Sequence, residues 1–317
     1  MDRFTKRLPA AGAAVASAAL VLTGCSKGEG EPTPDAAANN NEEQRVAAVG
    51  LGDADTLLAL DITPVAIAPW GTEGDVEEPG VGPWSKDLIG DAEPTVIYNT
   101  AQGFTADVLE EISSADPTQI IAVNQAVDAE AYDALEAIAP TTVRPEEHED
   151  WQVPWDVQIE TIAEAVDKKE EGDELVEETN QKFADFKDSH AELQGKTAAI
   201  VMPYEGKLGL YTPGDGRGQF IENLGFTIPE ELEGDGSSFF VDYAPENYAE
   251  LNDVDYLFVL DYNGAVDTIK EDQTFQNLDI VKDGRVHYFS TDVGNAMSMP
   301  NPVTIPWVID QFDDQLS

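Results

Sequence analysis

Positive charge is what this chain has least of. Its 17 Lys+Arg residues stand against 63 Asp+Glu, a formal net charge of −46. Nucleic acid is thereby excluded as a partner, since phosphate neutralisation requires clustered cations, and anionic lipid headgroups are unattractive for the same reason. A single cysteine excludes an internal disulfide. The three histidines, His148, His190 and His287, are isolated, without the spacing of a metal site, so direct capture of zinc or manganese is disfavoured. No Gly-x-Ser-x-Gly elbow is present, and carboxylates are too abundant to single out an acid/base pair. The apolar run over residues 8–22 is too short, and wrongly flanked, for a membrane span. The acid is spread along the whole chain, which favours a solvated, self-repelling surface over an acidic arm. Salt would screen that repulsion.

What is present begins with a basic start, Met1-Asp2-Arg3-Phe4-Thr5-Lys6-Arg7, and the Ala/Val/Leu-rich run behind it. These are the two regions of an export signal. The run ends in Leu22-Thr23-Gly24-Cys25, and the small residues before Cys25 resemble a bacterial lipobox. The resemblance implies that Cys25 carries diacylglycerol and becomes the mature N-terminus, outside the cytoplasm on the cell membrane. Two acyl chains at ~0.8 kcal/mol per buried CH₂ hold a protein where one would not. Residues 1–24 are then signal peptide, and 25–43, rich in Gly, Pro, Ala, Asn and Glu, a flexible tether.

From Arg45 the texture becomes that of a globular α/β protein, consistent with 42% hydrophobic residues overall. Short apolar runs alternate with helix-like segments: Arg45–Gly50, Pro64–Ala68, Thr95–Tyr98, Gln119–Val123 and Thr141–Val143. Such runs indicate buried parallel strands in βαβ units. Residues 156–191 lack proline and hold one glycine, and read as one long amphipathic helix, kinked if anywhere near Gly172. Alternation then resumes through Thr197–Met202, Leu208–Tyr211, Tyr256–Leu260 and Val286–Phe289. The expected architecture is two Rossmann-like α/β lobes with parallel sheets, 44–155 and 192–317, joined by that helix, with a ligand cleft between the lobes.

This layout resembles the helix-linked (class III) substrate-binding proteins of bacterial ABC importers for siderophores, haem and vitamin B12, in detail actinobacterial iron-siderophore lipoproteins. The resemblance rests on Arg45-Val46-Ala47-Ala48-Val49-Gly50 with Thr63-Pro64-Val65-Ala66, on Leu109-Glu110-Glu111-Ile112 leading to Asp116-Pro117-Thr118-Gln119-Ile120-Ile121, and on Asp283-Gly284-Arg285-Val286-His287-Tyr288-Phe289. It implies a non-catalytic receptor that captures a ferric siderophore and delivers it to an ABC permease. No cofactor is implied, since iron arrives only inside the ligand. Haem or a corrinoid is the alternative cargo. By position in the motifs, Glu110 and Glu246 are the docking contacts to the permease.

Ligands in open α/β sheets lie beyond the carboxyl ends of the strands, which nominates the loops there. Trp84, Arg144 and Trp151 are candidates from the first lobe; Tyr204, Tyr211, Arg217, Tyr262, Asn295 and Met297 from the second. Loop aromatics can stack on a flat chelate or plug the base of a lobe; both readings stay open for Trp84 and Trp151, while core packing is preferred for Trp155 and Trp307. Arg217 leaves a Gly-rich loop just before a helix, where glycines permit close approach and the helix end favours an anion; a structural ion pair is the other reading. Methionines such as Met297 form a polarizable wall or fill gaps.

Overall fold

The computed structural model describes residues 44–71, 74, 76, 78–232 and 238–316. Cys25 and the tether therefore lie outside the described residues. The first lobe runs β1 (Val46–Ala48), α1 (Asp53–Ala59), β2 (Ala66–Ile67), α2 (Lys86–Ile89), β3 (Thr95–Val96), α3 (Ala106–Ser114), β4 (Gln119–Ala122), α4 (Ala129–Glu136) and β5 (Thr141–Val143). Its five strands are all parallel, in the order β3-β2-β1-β4-β5. Strands β1 and β4 are covered on both faces, so nearly every side chain is apolar and buried rather than alternating. The sheet's topological switch lies between β1 and β4, where open α/β sheets form a crevice.

The connection departs from the expected single helix. It consists of α5 (Trp155–Ala165) and α6 (Lys169–Ser189). The interruption is a helix stop built on Asp167, whose φ of 59° is left-handed. Its N–H bonds the Glu164 carbonyl and the next N–H, of Lys168, bonds that of Ala163. That pattern of paired backward bonds closes a helix even without glycine. Gly172 is not a kink but a contact: a Cβ there would stand 2.3 Å from the Ala163 Cβ of α5. Gly172→Ala is thus expected to lose about 1–3 kcal/mol of stability by overpacking, although alanine is the better helix former by about 1 kcal/mol. Urea denaturation decides the sign, and a gain would show that the helices can part freely.

The second lobe contains β6 (Ala198–Tyr204), β7 (Lys207–Tyr211), α7 (Gly216–Asn223), β8 (Phe240–Tyr243), β9 (Tyr256–Leu260), α8 (Ala265–Glu271), α9 (Gln273–Gln276), α10 (Asp279–Lys282), β10 (Val286–Phe289), α11 (Thr291–Ser298) and α12 (Thr304–Leu316). Its sheet, β10-β9-β6-β7-β8, is mixed. Strands β10, β9 and β6 are parallel, whereas β7 runs antiparallel to both neighbours. The cause is local. Glu205 and Gly206 both take positive φ, 48° and 78°, the pairing of a tight hairpin turn. Tyr204 therefore ends a strand instead of lying in a loop.

One apolar cluster joins the lobes. Trp84, Trp155 and Ile159 pack with Phe183 and Phe186 of α6 and with Phe220, Met297, Met299 and Phe312 of the second lobe. Wide opening of the lobes would expose this cluster, so the fold favours small relative movements.

Candidate functional site

At the first lobe's switch point the crevice holds the protein's own carboxylate. Asp53, fully buried at the start of α1, accepts from Val123 N at 2.9 Å, Asn124 N at 3.4 Å and Gln158 Nε2 of α5 at 2.7 Å. Gly50 leaves the space, since a Cβ there would lie 2.2 Å from the carboxylate oxygen. Burial without a cation raises the Asp53 pKa to about 6.

Two residues on, Asp55 ties the lobes together. Its carboxylate accepts from the Trp84 indole N–H at 3.0 Å, the Ser85 hydroxyl at 2.5 Å and Asn301 Nδ2 at 3.0 Å. Burial raises its pKa as well. Asn301 also caps α12, its Oδ1 accepting from Val303 N and Thr304 N, both at 2.9 Å. The clamped Trp84 ring stacks on Trp70 at 5.1 Å and meets Trp307 of the second lobe at 5.7 Å. Trp84 is thus the buried centre of an interlobe stack; Trp70 and Trp307 are its half-buried ends.

The second lobe contributes an aromatic face at its β7–β8 edge. Tyr204, Tyr211 and Phe240 occupy one side of the sheet, with Phe240 edge-on to both tyrosines. Gly209 makes room between them: a Cβ would sit 3.1 Å from Tyr204 and 3.3 Å from Phe240. The Arg217 guanidinium lies over the Tyr211 ring, 4.3 Å from its centroid. Arg217 Nη1 also bonds both oxygens of Asp215, at 3.0 and 3.1 Å, while its Nε is buried with no partner. Asp215 in turn caps α7 through Arg217 N. The glycines of this loop serve packing rather than ligand approach: Cβ atoms at Gly218 and Gly216 would strike the Thr212 carbonyl at 2.0 Å and Pro300 at 2.9 Å. Through Pro300 and Asn301 this face adjoins the Asp55 hub.

The other nominated residues are dispersed. Arg144 pairs with Asp150 at 2.7 Å. Its neighbour Trp151 is 36% exposed and holds a left-handed φ of 57°, a costly conformation for a bulky residue. Tyr262 is 48% exposed just past the end of β9, and Asn295 is half-buried on α11. Met297, 1% exposed, belongs to the interlobe core, which corrects its assignment to a cleft wall. Trp84 and Tyr211, at 7% and 5% exposed, are similarly covered, which corrects their assignment to the cleft surface. Glu110 on α3 and Glu246 in the 3-10 turn Pro245–Asp253 are exposed, one on each lobe. His190 is held by Asp313 at 2.7 Å, and burial lowers the His287 pKa. Among the described residues no group of three His, Cys, Asp or Glu is placed to hold a metal ion. A cavity of about 480 Å³ lies on the first lobe, where Gln102, Phe104 and Asp128 line it beside Asp150. It touches the Arg144–Asp150 pair but not the aromatic face.

Sequence reasoning missed Asp53, Asp55, Asn301 and Phe240. The one available signal was Gly50-Leu51-Gly52-Asp53 directly after a buried strand.

A family model described as periplasmic binding protein matches residues 46–292. Among known proteins, the chain is 28% identical over 250 residues to YfiY of Bacillus subtilis, described as a probable siderophore-binding lipoprotein, covering 74% of this chain and 70% of that one. A periplasmic solute binding protein from Mycobacterium smegmatis superimposes with a TM-score of 0.75 at 27% identity, covering 86% and 91% of the two chains. PiaA of Streptococcus pneumoniae in complex with ferrichrome superimposes at 0.68 with 26% identity, covering 86% and 92%.

Proposed function

The chain belongs to the periplasmic binding protein family, and from that premise we propose that it is the substrate-binding component of an ABC importer, taking a ferric siderophore between its two lobes and releasing it unchanged to the permease. The observation that carries this reading is the partly exposed Arg217 guanidinium, stacked on the buried Tyr211 ring and beside the exposed Phe240 at the interlobe junction. An exposed ring such as Phe240 covers the organic rim of a chelate, and the partly exposed Arg217 guanidinium is the donor on the same face. Tyr204 lies on the same face; Trp151, Arg144, Tyr262 and Asn295, which stand apart from it, are the further proposed contacts, and Trp84 is buried behind Trp70. In the same reading Cys25 is the lipidated anchor to the cell membrane, and Glu110 and Glu246 dock on the permease.

Titration with ferric chelates, read by tryptophan fluorescence, tests the proposal. One chelate should quench saturably, and Arg217→Ala should weaken it roughly 10–100-fold, as expected for loss of a charged hydrogen-bond donor and its ring contact. Quenching indifferent to the substitution would remove Arg217 from the site. Binding of haem alone would replace the siderophore as cargo.

A further inference from the structure

Among the described residues, the four arginines are already engaged. Arg45 donates to the carbonyls of Asp116 and Ala115, and Arg285 to those of Asn252 and Val254 and to Asp283. The two arginines of the proposed site are each cancelled within their own loop, Arg144 by Asp150 and Arg217 by Asp215. Lys207, at the edge of the aromatic face, pairs with Asp242. The positive end of α7 is likewise occupied, by the Asp215 cap. Of the nominated loops, Lys86 is the remaining cation, exposed on α2. Against it, Asp261 at the end of β9 accepts only from neutral donors, Gly264 N, Val266 N and Thr291 Oγ1. The walls therefore offer no surplus of positive charge, inside a protein of net charge −46.

We propose that this site selects a ferric chelate without net negative charge, of the trishydroxamate type. The inference rests on the receptor reading given under "Proposed function" and deepens it. Three hydroxamates balance one ferric ion and leave a neutral complex; three catecholates leave a trianion, and citrate leaves an anion too. A trianion would meet paired arginines and the repulsion of the whole surface, with no uncompensated guanidinium to offset either. A neutral chelate needs only what is present: exposed aromatic area from Phe240 and Tyr262, and hydrogen bonding from the partly exposed Arg217 guanidinium, whose charge Asp215 already cancels.

The test compares ferrichrome, ferric enterobactin and ferric citrate by fluorescence titration of the purified protein at low and high salt. Ferrichrome should bind at least about 100-fold more tightly than either anion. Its affinity should not respond to salt, whereas any anion binding should strengthen as salt screens the protein's charge. Asp215→Asn preserves a helix cap while uncovering the Arg217 charge, and should narrow the preference for the neutral chelate by about tenfold. Anions that bind as tightly as ferrichrome, or that weaken with salt, overturn the charge argument and leave the receptor standing. An unchanged preference in Asp215→Asn overturns the Arg217–Asp215 pair as its cause. Failure of all three chelates overturns the ferric-siderophore reading itself.

Discussion

Asp55→Ala is expected to destabilise the protein by about 3–5 kcal/mol, among the largest effects available to a single substitution here. Three donors converge on this carboxylate, and two of them, Ser85 and Asn301, are 0% exposed. Each buried donor left unmade costs about 1–3 kcal/mol. Part of that sum is returned, because the burial that raises the Asp55 pKa no longer penalises a charge. The effect should also be shared between lobes. Asn301→Ala removes the interlobe bond and the α12 cap together, so on its own it should cost about 2 kcal/mol. Combined with Asp55→Ala it should add less than its own value, a coupling of about 1 kcal/mol. Urea denaturation of the two single variants and the double variant provides the cycle. A loss below 1 kcal/mol for Asp55→Ala would show that the lobes are held by the apolar cluster alone. Loosening the Trp84 ring should further redshift tryptophan emission, because the stack that excludes water from it would open.

Much of this hub was invisible in the amino-acid sequence for a definite reason. Asp53 and Asp55 are two of 63 acidic residues, and nothing in composition separates a buried acceptor from a solvated one. The strands were legible because they are buried on both faces: Val46–Ala48 and Gln119–Ala122 read as unbroken apolar runs. Strand β8 was not, since Phe240–Tyr243 lies at a sheet edge with Phe240 and Asp242 exposed, and its place is set by pairing with β7, from which α7 separates it in the chain. The linker shows the same division. Its amphipathic pattern announced helix correctly, but the stop at Asp167 depends on a left-handed residue that is not glycine, while the glycine that drew notice, Gly172, marks a helix–helix contact. For the site, the arginines were found by their rarity, and their counter-ions two and six residues away were not. Local spacing reveals a charge more readily than its compensation.

Acid should strengthen the protein through Asp53. Its pKa is raised from 3.8 to about 6, so between those values the folded chain binds more protons than the unfolded one. Stability from this residue is therefore highest below about pH 4, falls as pH rises through the window, and is level above about pH 6. A shift of roughly two units corresponds to about 3 kcal/mol. Asp55, shifted the same way, adds to the trend. General relief of self-repulsion at low pH has the same sign, given 63 acidic residues, so the wild-type profile alone is not diagnostic. The discriminating quantity is the difference between wild type and Asp53→Asn, measured by urea denaturation at pH 4.5 and 7. Asparagine presents an amide to the donors on Val123, Asn124 and Gln158, so the variant should be less stable throughout. Its stability should nonetheless rise less on acidification, by about 2 kcal/mol over that interval. Parallel profiles would mean that Asp53 keeps an ordinary carboxylate pKa, and that its hydrogen bonds fully offset burial. Because the same carboxylate ties α1 to β4 and α5, a confirmed slope would make the stiffness of the first lobe at the cleft base depend on the acidity of the medium.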